Sequence, residues 1–173
     1  FCQVTGFGGT TMRVTEAEGN RVISLNAIPV ADVFDAHALA TGQQFIHSDP
    51  LPFFLHNVIG IDTGEGQKLR VPLSLNEDGS ISCAAEVPLG STVYIMEASV
   101  SSACDAARMA AQAALDGLRG GTHAGSLLFD CAATRLRLGR QFGEELEAVA
   151  SALRSDNFAG CNTYGQIARS TGQ

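Results

Sequence analysis

The stretch that decides the fold is GSLLFDCA, residues 125–132. An apolar centre bounded by glycine and polar residues is typical of a short buried strand, so we predict a strand over residues 123–132. The next helix is predicted from the spacing of Phe142, Leu146, Val149 and Leu153. A last strand is predicted over residues 158–164. This order predicts a strand–helix–strand crossover at the end of the chain.

The residues before that stretch predict further strands and two helices. Alternating apolar residues indicate a hairpin of strands 10–15 and 22–25, and later strands at 53–61, 68–75, 80–84 and 92–98. One helix begins at Pro29, because proline suits the first helical position, and a second begins at Ser102. We therefore predict an α+β fold with a mixed, largely antiparallel sheet, helices packed on one face, and a C-terminal β-α-β-α-β segment.

The strand at 68–75 carries a proline, which constrains its place in the sheet. Pro72 cannot donate a hydrogen bond to a ladder, so this strand is expected at an edge or with a bulge. Its inward-facing set is predicted to be Leu69, Val71, Leu73 and Leu75.

Composition narrows the class of protein. The chain has 173 residues, is 45% hydrophobic and carries a net charge of −7, which argues against disorder and against a nucleic-acid partner. No uninterrupted apolar run is long enough to span a membrane, and no secretory leader is visible. Five dispersed cysteines without a C-x-x-C pair indicate free thiols in a reducing cytoplasm, not a disulfide framework or zinc site. We expect residues 1–11 to be a junction and residues 12–173 to form one domain.

Polar residues follow the last two predicted strands. DCAATR occupies residues 130–135 and GCNTYGQ occupies residues 160–166. Residues at the carboxyl ends of strands are well placed to line a ligand crevice. The candidate ligand-binding residues are Cys131, Arg135, Gly160, Cys161, Asn162, Thr163, Tyr164 and Gln166. The structural alternatives are a small buried hydrophobe at Cys131 and a self-satisfied tight turn at 160–166.

The histidines and glutamates give weaker signals. His37 lies on an apolar helical stripe and is interpreted as a satisfied core histidine, whereas His56 lies in the apolar context FFLHN. A haem ligand would have such a setting, so both are candidates for haem ligation. Glu144, Glu145 and Glu147 are interpreted as a solvated helix face.

Three segments, in order, resemble the C-terminal half of FIST proteins, sensory modules of signal-transduction proteins. They are VTEAEGN (14–20), GSLLFDCA (125–132) followed by Arg135 and Gly139, and GCNTYGQIA (160–168). The family typically has a glutamate where this chain has Gln166. The resemblance implies a non-enzymatic, cytoplasmic sensory domain, with an N-terminal FIST half and a signalling output protein as partners.

The resemblance also implies a small ligand, with an amino acid or similar polar metabolite as the expected class. Arg135 would pair a ligand carboxylate, while Asn162, Thr163 and Gln166 would orient an amino group. No cofactor is expected in this interpretation. The alternatives are a haem-based nitric oxide sensor using His56 or His37, a cysteine-dependent hydrolase using Cys131 or Cys161, and a plain protein-interaction module.

Overall fold

The computed structural model describes residues 11–64 and 67–165. The chain divides into two compact units, with the boundary between Ala98 and Ser99. We call the described residues up to Ala98 the N-terminal unit and the described residues from Ser99 onward the C-terminal unit. Among the described residues, no helix is long and apolar enough to cross a membrane.

The N-terminal unit is built on an antiparallel sheet. Its strands are β1 (Met12–Glu18), β2 (Arg21–Leu25), β3 (Ile28–Pro29), β4 (Asn57–Asp62), β5 (Gln67–Arg70), β6 (Pro72–Leu75), β7 (Ile81–Cys83) and β8 (Thr92–Glu97). They are ordered β5-β4-β8-β1-β2-β7-β6, with β3 paired to β2. The helices α1 (Val30–Thr41) and α2 (Leu51–His56) complete the unit. The predicted first hairpin and the helix after Pro29 are confirmed.

The core of this unit centres on aromatic side chains. Phe34 of α1 is fully buried and makes edge contacts with Phe53 and Phe54, with ring centroids 6.2 and 5.5 Å apart. Phe45 lies 4.8 Å from the Phe53 ring. Such pairs add stability beyond the apolar area they bury. The predicted strand at 53–61 is therefore wrong in its first half, where Pro52 in the first turn and the packing of both phenylalanines favour helix α2.

The predicted strand at 68–75 is two strands. β5 pairs with β4 and β6 pairs with β7, with a register shift between Pro72 and Ser74. The predicted edge position and irregularity at Pro72 are confirmed, because β6 ends the sheet. The predicted inward set is wrong at Leu73, which is 48% exposed, whereas Pro72 is buried and Leu75 packs against the core. The register shift between Pro72 and Ser74 interrupts the alternation at this point.

The C-terminal unit places a parallel strand pair against helices. It contains α3 (Val100–Asp116), β9 (Ser126–Cys131), α4 (Ala132–Leu138), α5 (Phe142–Leu153) and β10 (Phe158–Thr163). β9 and β10 pair in parallel, as the predicted crossover requires. Ala111, Val149 and Leu153 are buried between α3 and α5, with Leu128 and Phe158 packed against them. The α+β fold with a C-terminal strand–helix–strand segment is thus confirmed.

Two local predictions in this unit are wrong, and one helix was not predicted. Ser99, not Ser102, is the N-cap of α3, and Ser102 completes the capping box as its third helical residue. The helix α4 was not predicted. The strand 123–132 is shorter than predicted and is not buried on both faces: Leu127 is 75% exposed and Phe129 is 56% exposed. One face of this strand pair packs on helices, and side chains alternate between the two faces.

Candidate functional site

The two polar segments predicted from the sequence lie side by side. In the parallel register, Asn162 is opposite Asp130 and Thr163 is opposite Cys131. The Asn162 side-chain amide donates to Asp130 Oδ2 at 3.2 Å, and Thr163 Oγ1 donates to the Asp130 carbonyl at 3.2 Å. The carboxyl ends of β9 and β10 are therefore neighbours, and Asp130 is the residue on which their contacts converge.

Strand alternation divides the candidate residues between two faces of this pair. Leu128 packs with the helices, so Asp130 and its partner Asn162 belong to the helix-covered face. Cys131, Cys161 and Thr163 belong to the opposite face, which also carries the exposed Leu127. One face of the strand pair therefore carries a carboxylate and an amide, and the other carries two thiols and a hydroxyl.

Gly160 has a packing role. A β-carbon built there would lie 1.8 Å from the carbonyl oxygen of Leu128 on β9. No side chain fits at that distance, so glycine allows the two strands to approach. Tyr164 is fully exposed, and Gln166 lies outside the described residues.

The side chain of Arg135 contacts residues that follow it closely in the sequence. Its Nη1 donates to the Gly139 carbonyl at 2.7 Å, and its guanidinium lies 4.9 Å from the centre of the Phe142 ring. Both contacts hold the side chain along α4 and α5. Two residues later on the same helix, Arg137 is half-buried, and its Nε is buried without a hydrogen-bond partner among the described residues.

Glu145 is the most unusual polar residue of this unit. It is 7% exposed on the first turn of α5, and its Oε2 has no hydrogen-bond partner within the described part of the chain. Burial raises the pKa of Glu145 to about 7, with a further increase from the nearby Asp130 carboxylate and an opposing effect from Arg137. The interpretation of Glu145 as part of a solvated face is therefore wrong.

Asp130 shares the environment of Glu145. Burial raises the pKa of Asp130, while a hydrogen bond from the Cys131 backbone and the charge of Arg137 oppose that increase. Asp130, Arg137 and Glu145 come from β9, α4 and α5 and form what we call the polar cluster.

The polar cluster was not predicted from the sequence, although the position of Glu145 in its helix indicates that it is buried. Glu145 lies three residues after Phe142 and four before Val149, on the apolar stripe of its own helix. A carboxylate on that stripe marks a buried charge that needs a partner. Arg137 carried no comparable signal, since only the fold shows that it lies near Asp130 and Glu145.

The histidine environments favour structural and surface positions over haem ligation. The ring Nε2 of His37 is 3.0 Å from Oδ1 of the fully buried Asn57, which is the expected behaviour of a satisfied histidine. His56 is exposed at the end of α2. An axial haem ligand needs a free ring nitrogen aimed into an apolar pocket. In the described ranges there is also no group of three or more histidine, cysteine and carboxylate side chains that could hold a metal ion.

A surface hollow lies in the N-terminal unit, at the hairpin between β6 and β7. Arg21, Asn76, Glu77, Asp78 and Ser82 line it. Arg21 is paired with Asp78 and donates to Ser80 Oγ at 2.7 Å. The positive charge of Arg21 in this hollow is therefore already compensated by Asp78.

Comparison with known proteins places the chain in a family. Searches of curated proteins and of solved structures give no match. The model of the FIST C domain matches residues 31–169, which covers most of the chain and parts of both units. The chain therefore belongs to the FIST C domain family, which is associated with sensory signal-transduction proteins.

Proposed function

We propose that the chain is a ligand-binding sensory domain whose C-terminal unit binds a small zwitterion, such as an amino acid, at the polar cluster. The observation that carries the proposal is the pair of buried atoms, Arg137 Nε and Glu145 Oε2, that lack partners among the described residues. Buried polar atoms are nearly always hydrogen-bonded, so such atoms call for a partner that the described residues do not supply.

The chemistry of these two atoms defines what the partner must offer. Arg137 Nε–H needs an acceptor, and a carboxylate is the acceptor that guanidinium groups bind best. Glu145 needs either a proton of its own or a donor from outside. A ligand ammonium group is such a donor, and Asp130 beside it adds a second carboxylate. An α-amino acid provides both charges a short distance apart.

In this proposal Arg137 binds the ligand carboxylate, in place of Arg135, which the sequence analysis predicted. Asn162 and Thr163 remain close to the cluster because both donate to Asp130. Asn162 bonds the Asp130 carboxylate on the same face as the cluster, whereas Thr163 bonds the Asp130 backbone carbonyl from the opposite face. The proposal gives the site no catalytic step, and it keeps an N-terminal FIST half and a signalling output protein as the partners that respond to binding.

A ligand can drive a signal only through different affinities for two states of the receptor. A bound ammonium group would lower the pKa of Glu145, so ligand binding would favour the state in which Glu145 has lost its proton. We expect ligand binding near pH 6 to release protons, and the release to disappear in Glu145→Gln.

Isothermal titration calorimetry tests the ligand class. The protein is titrated with single amino acids, and each amino acid that binds is followed by its decarboxylated amine and its N-acetyl derivative. We expect binding of at least one zwitterion and loss of binding for both derivatives, because each lacks one charge. A folded protein that binds none of the amino acids, or binds the derivatives equally well, would contradict the proposal.

A further inference from the structure

We propose that Cys131 and Cys161 form a binding site for a soft monovalent metal ion of the Cu(I) type, on the face of the β9–β10 pair opposite the polar cluster. The site is independent of the proposed zwitterion site. It rests on the strand register and on the accessibility of both thiols. Cys131 is half-buried and Cys161 is exposed, and both are free thiols.

The register places the two thiols together. Thr163 is opposite Cys131, and Cys161 lies two residues earlier on the same strand, so all three side chains share one face. Cys131 and Cys161 are thus diagonal neighbours across adjacent strands. Parallel strands lie about 4.8 Å apart and rise about 3.3 Å per residue, so diagonal neighbours two residues apart have α-carbons about 8 Å apart.

That spacing favours a bridging ion over a direct disulfide. Disulfide-bonded cysteines usually have α-carbons about 4.4–6.8 Å apart, so a bond between Cys131 and Cys161 would require the strands to move. A metal–thiolate bond is about 2.3 Å long, so an ion between two sulfurs holds them up to about 4.6 Å apart. The sulfurs of a disulfide are about 2.05 Å apart, so a bridging ion lets the two α-carbons lie about 2.5 Å farther apart than a disulfide does, which accommodates the diagonal pair.

The number of protein ligands decides which metal ion this site can bind. Zinc in structural sites takes four protein ligands, and the described residues hold no group of three or more metal-binding side chains. A two-thiolate site suits a soft ion that accepts two sulfur ligands, as Cu(I) does. Binding forms two Cu–S bonds and releases the two thiol protons to solvent, with no change in oxidation state.

Competition titration of Cu(I) against a chromophoric chelator under anaerobic conditions tests the site. Cys2 lies outside the described residues, so the full chain carries Cys2→Ser in every sample. We expect one Cu(I) per chain in this background. Cys131→Ser and Cys161→Ser should each lower the affinity by more than roughly 100-fold, since even residues that only support a ligand are worth 10–100-fold.

Cys104→Ser is the matched control, because Cys104 is a half-buried thiol on α3, away from this face. It should bind Cu(I) as the background does, and circular dichroism should show that every variant is folded. Unchanged affinity in either Cys131→Ser or Cys161→Ser would overturn the proposal. So would a background protein that forms a Cys131–Cys161 disulfide in mild oxidant but binds no Cu(I).

Discussion

The two units differ in whether a buried polar side chain has all its hydrogen-bond partners within the described protein. In the N-terminal unit, the fully buried Asn57 donates to Gln43 Oε1 at 2.8 Å and to the Phe53 carbonyl at 2.9 Å, and its own oxygen is 3.0 Å from His37. In the C-terminal unit, Glu145 is almost as deeply buried, yet one of its oxygens has no partner among the described residues. The first arrangement stabilises the fold, whereas the second leaves a buried acceptor unsatisfied, and our proposal assigns that acceptor to a ligand.

The largest expected effect concerns the aromatic core of the N-terminal unit. Phe34→Ala should lower the free energy of unfolding by about 3–5 kcal/mol, because it empties the centre of a packed cluster. Leu39→Ala on the same helix is the control: Leu39 is 85% exposed, so its removal should change stability by less than about 0.5 kcal/mol. Urea denaturation measures both. Equal effects would show that Phe34 is not part of a tightly packed core.

The next effect concerns Glu145 and depends on pH. Its folded pKa of about 7 lies above the ordinary 4.5, so the folded state favours the protonated form. The resulting stabilisation is fully present below pH 4.5 and is lost as pH rises through about 7. Relative to Glu145→Gln, the wild type should therefore lose on the order of 3 kcal/mol of stability between these limits.

Urea denaturation across that pH range measures the difference. Asp130 is present in both proteins, so its own raised pKa largely cancels. Glu147→Gln is the control, because Glu147 is exposed on the same helix and should leave the pH profile unchanged. A parallel profile for wild type and Glu145→Gln would mean that the Glu145 pKa is not raised.

A smaller effect concerns the contact between β9 and β10. Gly160→Ala should cost about 1–3 kcal/mol, because the new β-carbon collides with the Leu128 carbonyl. Gly143→Ala is the control: among the described residues no neighbour lies within 4 Å of its β-carbon position in the first turn of α5, so alanine there should be neutral or stabilise the protein by up to about 1 kcal/mol. Amide exchange should be faster in β9 and β10 of the Gly160 variant alone. A neutral Gly160→Ala would contradict the close strand approach.

The sequence predicted the parts of the fold that local patterns encode. Period-two alternation and turn residues located the first hairpin, and Pro29 located the start of α1. The segment 53–61 was misassigned because a short apolar run fits a strand and a buried helix equally well. Packing of Phe53 and Phe54 around Phe34 decides between them, and that contact is not local.

The sequence predicted that the two polar segments are neighbours, but it did not predict how their side chains are arranged. Adjacency of the two polar segments followed from the predicted crossover, whereas their division between two faces depends on the register of β9 and β10. Which arginine is buried depends on the orientation of α4, and no pattern distinguished Arg137 from Arg135. The place of Glu145 on the apolar stripe indicates burial, but its charged neighbours Glu144 and Glu147 favour a solvated face, and only the packing of α5 decides between the two.

The most direct test of the central claim compares the two arginines of α4. Arg137→Gln and Arg135→Gln remove the same charge two residues apart, and calorimetry measures the affinity of each for whichever amino acid binds the wild type. The account predicts that Arg137→Gln weakens binding at least about tenfold, the equivalent of a lost charged hydrogen bond, while Arg135→Gln binds like the wild type. Wild-type affinity in Arg137→Gln, with loss of binding in Arg135→Gln, would contradict the assignment of the polar cluster as the ligand site.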